Sequence, residues 1–264
     1  PGTSVSYGDS RLITAEDGTH FLYYNAFVHG VDRHQELMVA STRDFIHWEQ
    51  HGRIFKHTAR RDRETLPNQA PWRFPHPAVV VRLDGERLIA TRIGGKFRMF
   101  VNVLATNGPN ILSMAVSDNL IDWELIQDDK SNPVEVLPLR PGCFDSAYID
   151  TAAAVLRPEG IVLIGNGINA PPEDGGDPTR MHAAHYPLQA LFDRDNPTRV
   201  IDRSPTPFLG NDPELEALSP VFWIAPLYEA WSLVQHQGNW LLYWNHAFGR
   251  RTVGVWSAPL DSHR

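Results

Sequence analysis

The N-terminal part of the chain alternates short apolar stretches with polar turns, a pattern typical of antiparallel β-strands. The predicted elements are strands at 11–14, 20–25 and 36–41, with a tight turn at 16–18 joining the first two. The segment 42–49 predicts a turn that carries Trp48 inward before a short fourth strand. This stretch therefore predicts a module of four strands.

The same order of three strands recurs three times further along the chain, the third copy without the Trp turn. Predicted strands of the later copies lie at 87–93, 96–101 and 111–116, at 151–156, 161–167 and 181–186, and at 230–234, 240–245 and 252–257. The second copy ends in Trp123-Glu124 as the first ends in Trp48-Glu49, and the tryptophans are 75 positions apart (123 minus 48), so we expect them to pack equivalently.

Repeats of four short strands are typical of a β-propeller, in which each blade covers the apolar face of its neighbour. A β-sandwich is the second interpretation, because it also contains repeated hairpins. The Pro-, Gly- and charge-rich segments 60–77 and 170–180 resemble rim loops rather than linkers, which favours one domain over residues 1–264. The prediction is an all-β propeller with four evident blade repeats.

Composition narrows the functional classes. The chain has 24 Lys and Arg against 31 Asp and Glu, a net charge of -7, which argues against binding to a nucleic-acid backbone. The single cysteine, Cys143, excludes an intramolecular disulfide and a zinc site with several thiolates. No apolar run reaches the length of a membrane span and residues 1–10 do not resemble a signal peptide, so we expect a soluble protein and favour the cytoplasm. Large rings (8 Trp, 7 Tyr and 12 Phe) suit the gaps between twisted blades.

Acidic residues precede the first strand of several copies, where a propeller brings distant segments towards its axis. They are Asp9 in the first copy, Asp84 and Glu86 in the second, Asp145 and Asp150 in the third, and Glu229 in the fourth. Cleavage of a glycoside requires one carboxylic acid for the leaving oxygen and one carboxylate to activate water. Any one of these acids could instead cap a turn, but their recurrence at one blade position favours a shared function.

Several motifs, in the same order, resemble glycoside hydrolase family 130. They are residues 7–13 (Tyr-Gly-Asp-Ser-Arg-Leu-Ile), 93–99 (Ile-Gly-Gly-Lys-Phe-Arg-Met), 144–146 (Phe-Asp-Ser), 195–205 and 241–245. The resemblance implies a five-bladed β-propeller glycosidase or phosphorylase acting largely on β-mannosides. By that resemblance Asp9 is the proton donor and Arg11 matches the arginine of the same motif. Relative to the family the missing blade is the N-terminal one, so either segments read as loops complete the ring or that blade precedes Pro1.

The chain departs from the phosphorylases of that family in two places. Tyr148 stands where they keep a lysine, and no aspartate lies between Tyr243 and Thr252. These departures favour water as the nucleophile, although Arg250 and Arg251 could hold an anion. The sequence therefore predicts an inverting glycoside hydrolase, with phosphorolysis as the alternative.

A second resemblance, to glycoside hydrolase family 43, assigns the acids differently. Glu229 lies nine residues before Gly238, as a catalytic glutamate of that family precedes a Gly-x-Tyr-Tyr-Leu strand, and Ala230 replaces a glycine. This resemblance implies an arabinosidase or xylosidase in which Asp9 is the base, Asp145 orients and Glu229 is the acid. A non-catalytic propeller that binds carbohydrate is a further alternative.

The expected catalytic residues are Asp9, Asp145 and Glu229, with Glu86 as another candidate base. The expected substrate contacts are Arg11, Glu86, His76, Arg92, Tyr148, Asp150, His246 and Trp72. His182 and His185 lie in a predicted strand at a spacing that suits a metal pair poorly, so solvent or core roles are expected and no metal or cofactor is predicted. The expected partner is an oligosaccharide, with neither nucleic acid nor membrane, and the sequence assigns no oligomeric state.

Overall fold

The computed structural model of the chain describes residues 4–29, 34–55, 76–104, 110–209, 228–247 and 251–259. Its contacts divide the chain into a first unit, 1–81 with 89–135, and a second unit, 82–88 with 136–264. The prediction of one domain over the whole chain stays a prediction. No helix in the described ranges has the length and apolar character needed to cross a membrane.

The first repeat is a four-stranded antiparallel sheet in the first unit. Its strands are β1 (Ser4–Thr14), β2 (His20–His29), β3 (His34–Thr42) and β4 (Glu49–Arg53). Neighbouring strands pair in chain order, so the predicted module is confirmed. The predicted tight turn is present, with the Ala15 N–H donating to the Thr19 carbonyl at 2.8 Å and Gly18 at a φ of 83°.

The second repeat differs from its prediction in the first strand. Its strands are β5 (Ala78–Asp84), β6 (Arg87–Ala90), β7 (Arg92–Ile93), β8 (Lys96–Leu104), β9 (Asn110–Ser117) and β10 (Glu124–Leu125). The predicted strand 87–93 is broken at Thr91, and β5, which pairs with β8 through Ala78 and Phe100, was not predicted. The reason is that residues 78–81 form a continuous buried apolar run without the alternation that reveals a half-exposed strand.

The turns that end the first two repeats share one hydrogen-bond scaffold. The hydroxyl of Thr42 accepts the N–H groups two and three residues later at 3.2 and 3.0 Å, and Ser117 does the same at 3.1 and 3.0 Å. The Oδ1 atoms of Asp44 and Asn119 in turn each accept two further backbone N–H groups at 2.8 to 2.9 Å. The repeat at an interval of 75 residues is therefore reproduced in atomic detail.

The environments of the two turns are nevertheless different. Trp123 is 2% exposed, donates its backbone N–H to the Ile54 carbonyl at 2.9 Å, and meets the Tyr23 ring edge-on at 6.1 Å between centroids. Trp48 is 39% exposed and packs against the ring of Phe45, itself 53% exposed. The expectation that Trp48 is buried like Trp123 is wrong, because the Trp123 ring lies in a buried cluster with Tyr23, whereas the Trp48 ring packs on the exposed ring of Phe45.

Burial of Tyr23 supports the same core. Its hydroxyl donates to the Leu120 carbonyl at 2.6 Å, and desolvation raises the pKa of Tyr23 well above its usual range. Tyr23, Trp123 and Ile54 belong to one cluster of buried apolar residues that the first two repeats build together.

The third and fourth repeats lie in the second unit. Their strands are β11 (Tyr148–Arg157), β12 (Gly160–Ile168), β13 (His185–Phe192), β14 (Val200–Arg203), β15 (Tyr228–His236), β16 (Asn239–Ala247) and β17 (Arg251–Pro259). The predicted strands of the fourth repeat lie inside β15, β16 and β17 and are confirmed.

One strand of the third repeat was predicted too early, at 181–186 instead of His185–Phe192. The preceding residues form a loop that the buried side chain of Asn169 holds. The amide nitrogen of Asn169 donates to the carbonyls of Asp177, Arg180 and Met181 at 2.9 to 3.3 Å. This tertiary anchor delays the start of the strand, and no local sequence pattern reveals it.

Candidate active site

Asp9 lies at a break in the pairing of β1 with β2. Gly8 pairs with Asn25, the register shifts before Arg11, and Asp9 adopts a φ of 51°. The amide of Asn25 donates to Asp9 Oδ2 at 3.3 Å, and His76 Nε2 lies 3.9 Å from Asp9 Oδ1. The Asp9 side chain is 18% exposed and that of His76 is 6% exposed. Left-handed backbone at a non-glycine residue stores strain and is concentrated at functional sites, so this carboxylate is the leading candidate of the first unit.

The other predicted contacts of the first unit are two arginines with local partners. Arg11 is 8% exposed, and its Nη1 donates to the Ser10 carbonyl at 3.1 Å. Arg92 is exposed and braces the β7–β8 hairpin, donating to the carbonyls of Gly95 at 2.9 Å and Asp118 at 2.6 Å. Arg11 therefore lies in the same strand as Asp9, whereas Arg92 stabilises the β7–β8 hairpin of its own repeat.

Asp150 and Glu229 form a pair of buried carboxylates in the second unit. Asp150 is 0% and Glu229 is 8% exposed, and a carboxylate oxygen of each lies within 4.8 Å of the other. The amide of Asn166 donates to Asp150 Oδ1 at 2.6 Å, and the Trp231 indole N–H donates to Glu229 Oε2 at 2.9 Å. His185 Nδ1 stands 3.7 Å from Asp150 Oδ2, a position that the sequence-based expectation of a solvent or core role did not include.

Asp145 has a different environment from that pair. It is completely buried, and Arg140 donates to both of its oxygens, through Nε at 3.1 and 3.0 Å and through Nη2 at 2.7 Å. Arg203 Nη2 forms a second ion pair with Asp145 Oδ2. Burial lowers the pKa of Arg203 to about 10, against the opposing effect of the Asp145 charge. Both Asp145 oxygens therefore face guanidinium donors.

Two glycines of β12 allow these acids to lie close to the strand. A Cβ atom at Gly165 would lie 2.2 Å from the Asp150 carbonyl oxygen, and one at Gly167 would lie 2.4 Å from Asp145 Cβ. Neither distance is possible for a real side chain, so the Gly-Asn-Gly segment of β12 is required by the positions of Asp150 and Asp145.

The remaining predicted residues have the following positions. Glu86 lies in the exposed turn between β5 and β6, and Tyr148 begins β11 opposite Ile168. His246 occupies a register position in β16 opposite Tyr228, and Trp72 lies outside the described residues. Sequence reasoning missed the amides of Asn25 and Asn166, whose signal is an asparagine at corresponding positions of the second strands.

The fold defines a class: it is the all-β, propeller-type fold of glycoside hydrolases and phosphorylases, and the resemblance to glycoside hydrolase family 130 is confirmed. No protein-family profile and no curated protein matches the chain. The number of blades stays a prediction.

Particular solved structures show the similarity. A presumptive glycosidase from Bacteroides thetaiotaomicron is 28% identical with a TM-score of 0.77, and a presumptive glycoside hydrolase from Parabacteroides distasonis is 28% identical with a TM-score of 0.76. Each match covers 94% of this chain and 66% of the other, so the chain spans just under two thirds of their length.

Two more distant structures show the fold alone. A structure from family 130, described as mannoside phosphorylases that include hydrolases of β-1,2 mannosidic linkages, is 22% identical with a TM-score of 0.76 over 95% of this chain and 65% of the other. A thermostable family-43 glycoside hydrolase is 11% identical with a TM-score of 0.58 over 97% of this chain and 69% of the other. The likeness to family 43 is thus the weaker of the two, as the sequence indicated.

Proposed function

We propose that the chain carries out the hydrolysis of an oligosaccharide, with a β-mannoside as the substrate class and Asp9 as the proton donor. The observation that carries the proposal is the setting of Asp9, a mostly buried carboxyl in left-handed backbone between the Asn25 amide and the His76 imidazole. The 28% identical structures described as glycosidases support the same class of reaction.

The proposed reaction is a single displacement with inversion. The carboxylic acid of Asp9 gives its proton to the glycosidic oxygen as the bond from that oxygen to the anomeric carbon breaks. A second carboxylate takes one proton from water, and the water oxygen bonds to the anomeric carbon from the opposite face. Atoms and charge balance without a cofactor.

Glu229 is the proposed base among the expected acids. It is 8% exposed, whereas Asp145 is completely buried between Arg140 and Arg203. An inverting pair needs a separation of about 6.5 to 9.5 Å to accommodate water. One oxygen of Asp150 and one of Glu229 lie within 4.8 Å, which is closer than that, so Asp150 is not the proposed partner of Glu229 in this step.

Phosphorolysis is the second candidate, because the family-130 structure is described within a family of mannoside phosphorylases. The nucleophile would then be inorganic phosphate and the product a sugar 1-phosphate. Tyr148, where the phosphorylases keep a lysine, supports water instead. If the substrate is not a mannoside, the alternative is an arabinosidase or xylosidase like those of family 43. If the protein is not an enzyme, the alternative is a propeller that binds carbohydrate without turnover.

The test incubates the protein with manno-, arabino- and xylo-oligosaccharides, with and without phosphate. Free sugar in both conditions, released from mannosides with inverted anomeric configuration by NMR, is the expected result. Sugar 1-phosphate that appears only with phosphate would establish phosphorolysis, and binding without turnover would establish a non-catalytic propeller.

The Asp9→Asn variant tests the proton donor. We expect its kcat to fall by about 10²- to 10⁴-fold. Asp17→Asn is the matched control, because Asp17 is an exposed acid of the β1–β2 turn, and it should keep wild-type activity. Wild-type activity in Asp9→Asn would show that Asp9 is not the acid.

A further inference from the structure

Each of the four repeats carries an asparagine at nearly the same position of its second strand. Asn25 is the sixth residue of β2, and Asn102, Asn166 and Asn245 are the seventh residues of β8, β12 and β16. The first three are buried, at 0%, 5% and 1% exposure. An asparagine is unfavourable within a strand by propensity, so its recurrence there requires an explanation.

The strand register gives these asparagines a common partner position. Asn166 pairs with Asp150, Asn245 pairs with Glu229, and Asn25 pairs with Gly8, the neighbour of Asp9. The pairing of Ala78 with Phe100, continued by two residues, places His76 opposite Asn102. The residues at or beside these positions, on or just before the first strands, are Asp9, His76, Asp150 and Glu229, all of which are candidate site residues from the sequence.

Asn166 shows what the amide does at this position. Its nitrogen donates to Asp150 Oδ1 at 2.6 Å and to the Ala230 carbonyl at 3.1 Å, and its oxygen accepts the Ala230 N–H at 2.7 Å. Both amide hydrogens and the amide oxygen are therefore used. Because Ala230 follows Glu229 directly, one side chain holds the Asp150 carboxylate and the backbone beside Glu229 together.

We infer that Asn166 is a positioning residue that sets the separation of Asp150 and Glu229, and that Asn25 plays the corresponding part for Asp9. In the first repeat the partner of the asparagine is Gly8, and the φ of 51° at Asp9 together with the register shift brings the next carboxylate to the Asn25 amide at 3.3 Å. The catalytic consequence rests on the proposed function, whereas the contacts do not.

Only an amide fits this set of partners at Asn166. Alanine removes all three hydrogen bonds, and aspartate presents an oxygen to the Asp150 carboxylate unless it is protonated. Asn166→Ala therefore tests the contacts, and Asn166→Asp tests the donor.

The matched control is Asn169→Ala. Asn169 is also 1% exposed and also forms several hydrogen bonds, but its partners are backbone groups of the loop before β13 and the Ser146 hydroxyl. Its loss should destabilise the fold and leave the hydrogen bonds of Asp150 and Glu229 in place.

The kinetic experiment compares the three variants over a range of pH. We expect kcat of Asn166→Ala to fall by about 10- to 100-fold, as for misplaced catalytic groups, with KM changed by less than about threefold. Asn166→Asp should be active only at acidic pH, and Asn169→Ala should keep the wild-type pH profile. A profile and kcat for both Asn166 variants that match Asn169→Ala would overturn the inference.

A double-mutant cycle in urea unfolding separates this inference from the proposed function, because it needs no turnover. Asn166→Ala and Asp150→Asn should be non-additive, whereas Asn169→Ala and Asp150→Asn should be additive. Non-additivity in a protein that cleaves no glycoside would support the positioning of Asp150 and defeat the proposed function. Additivity of the first pair would defeat the positioning role even in an active enzyme.

Discussion

Replacing Asp145 by asparagine should separate a structural role of this residue from a catalytic one. The variant keeps the shape of the side chain but removes the charge that pairs with Arg140 and Arg203. It also turns an amide N–H₂ group towards guanidinium donors, so a donor faces a donor.

The loss of stability depends on the hydrogen bonds and solvent contact that Arg140 and Arg203 retain in the Asp145→Asn variant. The Arg140 side chain is 27% exposed and retains a hydrogen bond to the Ser204 carbonyl at 2.9 Å, so it can also reach water. The Arg203 side chain is only 9% exposed and is left with the Pro138 carbonyl at 2.6 Å. One buried charge thus loses its counterion, which costs about 3 to 5 kcal/mol when a buried ion pair is broken. We expect the lower end, about 3 kcal/mol, because Arg140 can rehydrate.

The assay is urea unfolding followed by circular dichroism, with thermal unfolding beside it. A loss of about 3 kcal/mol corresponds to a Tm lower by roughly 6 to 12 °C for a chain of this size. Adding Arg203→Met should restore part of the free energy of unfolding, because it removes the unpaired charge. A change below about 1 kcal/mol together with a large loss of kcat would refute the structural assignment and restore Asp145 as a catalytic residue.

The turns that end the first two repeats give two further predictions. Trp123→Ala should lower the free energy of unfolding by about 3 to 5 kcal/mol. Trp48→Ala, the counterpart 75 residues earlier, should lower it by less than about 1 kcal/mol. Equal losses of the free energy of unfolding in urea would contradict the unequal burial of the two tryptophans. Hydrogen bonds from the His47 ring and backbone hold the pKa of Asp44 well below its usual range. The ionised Asp44 therefore stabilises the folded state fully above the usual pKa of an aspartate, and this stabilisation is lost as pH falls from that value through the lowered pKa. Asp44→Asn, with the side chain that Asn119 has in the second turn, should therefore lose less Tm between pH 5 and pH 2 than the wild type, and an equal loss would count against the assignment.

The all-β class and the four repeats were predictable because their signals are local. Tight turns, such as 16–18, and the repeated Trp-Glu pair lie within a few residues of the strands they delimit. The exposure of Trp48 was not predictable, since the turn sequence determines the hydrogen bonds of the turn and not which side chains pack against it. Strand β5 was missed because a fully buried apolar run has no period to read.

The candidate site was predictable in part, for a related reason. Asp9, Asp150 and Glu229 could be named as candidates because acids close to the predicted first strands stand out in a repeated sequence, although Asp9 lies within β1. Asp145 forms ion pairs with Arg140 and Arg203, and Arg203 is 58 positions away (203 minus 145), so the sequence around Asp145 does not predict both pairs. The asparagines were missed because the residue is read as a turn former, although aligning the second strands of the repeats would have placed them in one column.

In every repeat the strand register places the asparagine of the second strand opposite a residue on, or just before, the first strand. The second strand keeps the same side chain four times, while the position at or beside its partner holds a short carboxylate twice, an imidazole once and a longer carboxylate once. A unit organised in this way can be copied along a chain and then altered at a single position without redesigning its framework. The repeats of this protein therefore share one framework and differ in the residue at this position.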